Sequence, residues 1–84
     1  MKKHLYSIWD RKSNMYAAPF MEQTDGTAIR AIQDLIQNNA NHQFARYAED
    51  FALVSVGQFD EATGELHSEQ KVIIELEQLT TKDE

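Results

Sequence analysis

The spacing of apolar residues changes period along this chain, and each change marks an element. From His4 to Trp9, Tyr6 and Ile8 alternate with Leu5, Ser7 and Trp9. A period of two sends successive side chains to opposite faces, so this stretch reads as a strand. Asp10-Arg11-Lys12-Ser13-Asn14 is a polar turn, and Met15 to Phe20 reads as the returning strand. Pro19 cannot donate a ladder bond, so that end lies on an edge or closes the strand. From Ala28 the period lengthens. Ala28, Ile29, Ile32, Leu35 and Ile36 fall on one helical face. Thr24 or Asp25 can cap the free amides, and Asp25 complements the helix dipole. The spacing predicts a helix over 25–38, ended by Asn38-Asn39-Ala40-Asn41.

After a polar approach loop, Phe51 to Phe59 is apolar on both parities, as a central strand would be. Asp60-Glu61-Ala62-Thr63-Gly64 is a turn. Asp60 can bond nearby amides, and Gly64 can take the left-handed conformation. Glu65 to Glu69 is a short return strand. Residues 71–79 fit two periods. As a strand, Val72, Ile74 and Leu76 alternate with Glu75 and Glu77; as a helix, Val72, Ile73, Leu76 and Leu79 share a face. The branched Val72-Ile73-Ile74 run favours a strand. The expected fold is α+β: two hairpins in the order β-β-α-β-β, an extra C-terminal strand, and one helix packed on one sheet face. It occupies one domain, residues 1–79, with a polar tail at 80–84 that frays. At 84 residues the core is thin, so self-association as a homodimer is the expected supplement.

Charge complicates the functional reading. The net charge is −6, unlike that of most nucleic-acid binders. It is unevenly spread. Residues 1–47 hold six cations and four anions; residues 48–84 hold two cations and ten anions. The N-terminal half can meet phosphate while the other repels it. There is no cysteine, so thiolate and disulfide chemistry are out. Lys2 and Lys3 are followed by no signal-peptide run, and no apolar stretch approaches a membrane span. The expectation is a soluble protein without membrane contact.

Catalytic and metal patterns are lacking. His4, His42 and His67 have no ligand-like spacing, the acidic turn lacks the oxygen series of a calcium loop, and no serine sits in a nucleophile elbow. Gly26, Gly57 and Gly64 form no phosphate loop. The chain reads as a non-enzyme without cofactor. The first hairpin is richer. Tyr6, Trp9, Tyr16 and Phe20 lie near Lys2, Lys3, Arg11 and Lys12. Aromatics on strands interleaved with cations suit single-stranded nucleic acid, since bases stack on rings and cations follow phosphates. The competing use of these rings is the core, favoured for Tyr6 and Phe20 and evenly balanced for Trp9 and Tyr16. Phe44, Arg46 and Tyr47 form a second cluster, in which Arg46 can meet phosphate or neutralise Glu49 or Asp50.

Several pieces in order carry a resemblance: Leu5-Tyr6-Ser7-Ile8-Trp9-Asp10, Pro19-Phe20, Ala28-Ile29-Arg30, Asn41-His42-Gln43-Phe44, Glu49-Asp50-Phe51, Gly57-Gln58-Phe59-Asp60 and Thr63-Gly64. Over residues 4–64 the chain resembles the small nonstructural protein of gokushovirus-type microviruses, phages with single-stranded DNA genomes. The resemblance implies DNA binding and an accessory role in viral genome synthesis or packaging, in the host bacterial cytoplasm. Two expectations follow. In one, Lys2, Lys3, Arg11, Lys12, Arg30 and Arg46 hold phosphate while Trp9 and Tyr16 stack on bases. In the other, an adaptor without DNA contact engages phage replication or capsid proteins through a sheet edge and its acidic half. An acidic mimic of DNA is a third, weaker reading.

Overall fold

The structure is a computed structural model and describes residues 2–80. Its centre is the antiparallel pairing of β1 (Lys2–Asp10) with β4 (Phe51–Asp60), running from Lys2 opposite Asp60 to Asp10 opposite Phe51. β2 (Met15–Tyr16) and β3 (Phe20–Glu22) share the outer side of β1, and β5 (Leu66–Glu75) lies outside β4. The expected α+β architecture is present, with β4 central.

Register sorts the side chains. On one face Tyr6 and Ile8 stand opposite Ser55 and Leu53, beside Phe20 of β3. α1 (Asp25–Asn38) covers this face with Ala28, Ile32 and Ile36. Tyr6 and Leu53 are fully enclosed there. The helix begins where the sequence marks it. Thr24 Oγ1 accepts from the Thr27 amide at 3.1 Å, and the Thr24 amide donates to Thr27 Oγ1 at 3.2 Å, a reciprocal cap. Asp25 has a further role: the Tyr6 hydroxyl donates to it at 2.6 Å, tying the helix start to β1.

Four expectations need correction. The return strand is broken at Ala17–Pro19 into β2 and β3, because Ser7 Oγ and the Ile8 carbonyl both bond Ala17 there, at 2.7 and 2.9 Å. Glu65–Glu69 and the C-terminal strand are one strand, β5, continuous through Gln70. That strand stops at Glu75. Leu76 and Leu79 are both buried in the same core, and a strand would send positions of opposite parity to opposite faces, so the chain turns into α3 (Glu77–Thr80). Thr80 therefore ends a helix, and residues 81–84 lie outside the described part. Finally, α1 is not alone. The approach loop folds into α2 (Gln43–Arg46), capped by His42 Nδ1 on the Phe44 amide at 3.1 Å, and a 3-10 turn over Ala48–Asp50. Phe44 from this segment meets Phe51 edge-on at 4.8 Å and closes the core at that end.

Three register breaks shape the sheet: one between β1 and β4 near Tyr6, and two between β4 and β5. Gly57 sits at one of them with φ +157°, and a Cβ there would meet the His67 carbonyl oxygen at 2.3 Å. The sequence suggests a close backbone approach at Gly57, and this is the contact responsible. At another break Ile73 and Ile74 both pack toward the core, which breaks the alternation of β5.

Candidate nucleic-acid interface

Among the described residues no helix packs on the opposite sheet face; α1, α2 and α3 all join the core on the other side. Alternation places Leu5, Ser7 and Trp9 of β1 on it, with Tyr16 of β2, Met21 of β3, Ala52, Val54, Gly57 and Phe59 of β4, and Leu66 and Val72 of β5. Ala52 and Val54 are buried by their strand neighbours, yet they stand apart from the helix-side core. Around them Tyr16, Met21, Leu66 and Val72 are each about half exposed or more.

The face has two unlike ends. At the hairpin end Trp9 pairs with Tyr16 across the strands, ring centroids 6.4 Å apart. The Arg11 guanidinium lies over the Trp9 ring at 5.3 Å. The same guanidinium donates to the Glu75 carboxylate at 2.7 Å and to the Glu49 carbonyl at 2.5 Å, while the Arg11 amide donates to the Asp50 carbonyl. Arg11 therefore joins both hairpins and the approach loop. Lys12, next to it at the turn, is exposed and makes no ion pair among the described residues. Asp10 orders the turn by accepting from the Lys12 amide at 3.0 Å, and Asn14 takes φ +61°, a conformation asparagine tolerates better than most residues. Away from the hairpin end the face is largely apolar but includes exposed Ser68, opposite Gly57, and Lys3, which is paired with Glu61 at 3.7 Å.

The structure thus gathers Trp9, Arg11, Lys12 and Tyr16 into one patch. The other candidates lie elsewhere. Lys2 and Lys3 begin β1 at the far end of the sheet, about 20–30 Å from the patch at strand rise. Arg30 sits exposed on α1, in the helical layer. Arg46 ends α2 and lies over the Tyr47 ring at 5.3 Å; among the described residues it forms no ion pair with Glu49 or Asp50. Tyr6 and Phe20 serve the core side, Tyr6 fully buried and Phe20 partly. Glu75 was not a candidate in the sequence. Its partnership with Arg11 crosses 64 positions, and no local pattern signals it.

Two groups titrate abnormally. Burial of its ring, with the hydrogen bond to Asp25 and that residue's charge, pushes the Tyr6 phenol well above its ordinary range. The Ala62 amide, bonded at 2.9 Å, holds the Asp60 carboxyl below the usual carboxylate range. Neither belongs to the patch. Among the described residues no cluster of His, Asp and Glu could hold a metal ion, and no helix is long and apolar enough to cross a membrane.

The class is therefore a two-layer α+β domain with one helix-covered sheet face and one open face that ends in an aromatic, cationic row. A family model described as Phage ORF5 protein matches residues 3–79, and the chain belongs to that family. It is a small phage protein. No curated protein and no solved structure matches it.

Proposed function

We propose that this is a phage nonstructural accessory protein of the microvirus type that binds single-stranded DNA through the hairpin end of its open sheet face, in genome synthesis or packaging. The observation that carries the reading is the Trp9–Tyr16 ring pair beside exposed Lys12, on a face that no helix of the described residues covers. Bases stack on such rings whatever their sequence, for about 1–3 kcal/mol each, and Lys12 supplies a phosphate contact. Arg11 is already neutralised by Glu75, so the patch offers few net cations. Binding is then weakly sequence-selective, modest in affinity and only mildly salt-dependent, since the salt slope scales with the phosphates neutralised.

The test is titration of a labelled single-stranded oligonucleotide at low and moderate salt, with wild type and a Tyr16→Ala/Lys12→Glu variant. Both positions are exposed, so the fold should survive. The expected result is roughly a tenfold to hundredfold loss in the variant, the scale of one lost stack and one lost phosphate contact. Absence of wild-type binding at low salt would sink the proposal; equal binding by the variant would remove the site from this patch.

A second reading, a protein-interaction adaptor, is favoured by a different observation. Beyond its aromatic end the open face is largely apolar, and its Lys3 is paired with Glu61, which suits a protein surface better than a polyanion.

A further inference from the structure

We propose that Glu75 is an internal competitor for nucleic-acid phosphate: in the free protein it holds the place on Arg11 that a phosphate takes when a strand binds. The inference rests on the nucleic-acid reading above and concerns the regulation of that same site.

Register puts the competitor inside the patch. Trp9 stands opposite Ala52 of β4, and Ala52 stands opposite Glu75 of β5. With Tyr16 opposite Trp9, they form one row across the hairpin end of the open face. Ala52 is the small member of that row, and Arg11 bridges across it. Its guanidinium lies over the Trp9 ring at 5.3 Å on one side and donates to the Glu75 carboxylate at 2.7 Å on the other.

The bonds on Arg11 differ in kind. The Glu49 carbonyl accepts from Nη1, and the Asp50 carbonyl accepts from the Arg11 amide. Both acceptors are uncharged backbone, so they fix Arg11 without cancelling its charge. Glu75 accepts from Nη2 and cancels it. Loss of Glu75 therefore leaves the cation in place and without a countercharge. The pair is also open to water, with side-chain exposures of 35% for Arg11 and 41% for Glu75. Ion pairs this exposed are weak and screened by salt. A guanidinium fits a phosphate as well as it fits a carboxylate. A phosphate arriving at Nη2 thus displaces Glu75, while the Glu49 bond keeps Arg11 beside the ring on which a base stacks.

This exchange has a thermodynamic signature. When a free cation takes a phosphate, a counterion leaves the strand, and log affinity falls with log salt by about 0.7 per phosphate for a single strand. When Arg11 changes partners, a counterion leaves the strand but another gathers at the freed Glu75. The net release is near zero. Arg11 then adds a contact without adding salt dependence, and Glu75 holds the affinity down at low salt.

The experiment titrates a fluorescently labelled oligothymidine of about 12 nucleotides against the full chain at several salt concentrations. Glu75→Gln keeps the side-chain shape and an acceptor for Arg11, so the fold should survive, and circular dichroism checks it. This variant should bind about threefold to tenfold more tightly at low salt, with a slope steeper by about 0.7. The slope decides, because loss of any nearby carboxylate raises affinity. Glu69→Gln, the same change of net charge on the same strand, should keep the wild-type slope. In an Arg11→Gln background, Glu75→Gln should not steepen the slope, since no arginine remains to take the phosphate. An unchanged slope in Glu75→Gln, or a steepening that persists without Arg11 or appears equally in Glu69→Gln, overturns the proposal and leaves the nucleic-acid reading standing on wild-type binding. Absence of wild-type binding at low salt overturns that reading and this proposal with it.

Discussion

The two faces of this sheet are built from the same strands and teach different lessons. β1 gives Tyr6 and Ile8 to the helix side and Leu5, Ser7 and Trp9 to the other; β4 gives Phe51 and Leu53 to one and Ala52 and Val54 to the other. Under α1 the large residues are in the middle of the sheet, and they are buried. On the open side Ser7, Ala52 and Val54 are buried between the strands, Leu5, Trp9 and Phe59 of the central strands are half-buried, and Tyr16, Met21, Leu66 and Val72 of the outer strands are exposed. The helix face is filled at its centre by α1, with Phe44 of α2 and Leu79 of α3 joining the same core. The open face divides between an aromatic, cationic end and a largely apolar remainder. Stability resides on one side, and the candidate contacts reside on the other.

Three substitutions test that contrast. Leu53→Ala, at a fully enclosed position, should cost about 2–5 kcal/mol in denaturant unfolding, whereas Tyr16→Ala on the open face should change stability by no more than about 0.5 kcal/mol. Comparable costs would erase the distinction between the faces. Gly57→Ala comes next. Its new Cβ would collide with the His67 carbonyl, and overpacking of this kind costs about 1–3 kcal/mol. A neutral Gly57→Ala would mean that β4 and β5 can separate at the bulge without penalty.

The smallest effect concerns Tyr6 and pH. Its phenol is harder to ionise folded than unfolded, where it titrates near 10.0. The stability it contributes is complete below about pH 10 and is lost as pH rises beyond, by up to about 1.4 kcal/mol per pH unit. Tyr6→Phe should cost about 1 kcal/mol at neutral pH, for the lost bond to Asp25. The gap between variant and wild type should then narrow above pH 10. A gap constant with pH would mean that the hydroxyl is not held as described.

The helix and the central strand were legible because each carries its own period and punctuation: Thr24 before a helical apolar stripe, and Phe51 opening a run apolar on both parities. β5 was misread as two strands because residues 66–72 are exposed and show no burial period. Their strand state comes from β4 rather than from their own pattern. The turns of α2 and α3 are each four residues long, too short for any period to show. Trp9 and Tyr16 were readable as neighbours at a hairpin tip. The open face was not, because assigning it requires the register of every strand through three breaks. Nor was the neutralisation of Arg11, whose partner Glu75 is remote in the chain.

The pairing of Lys2 with Asp60 and of Asp10 with Phe51 also dictates an order of assembly. During synthesis the first strand emerges long before its central partner, and α1 and the approach loop must be made in between. The β4–β5 hairpin is local and can close quickly, but the middle of the sheet waits for a distant return. Such closure adds little to the free-energy cost of folding because loop entropy grows slowly with length, and it chiefly lengthens the time required. Until β4 arrives, β1 can pair only with the short β2 and β3 on its outer side, and the edge that β4 takes stays open. In that interval the nascent chain is most open to capture by a chaperone or by a sibling chain.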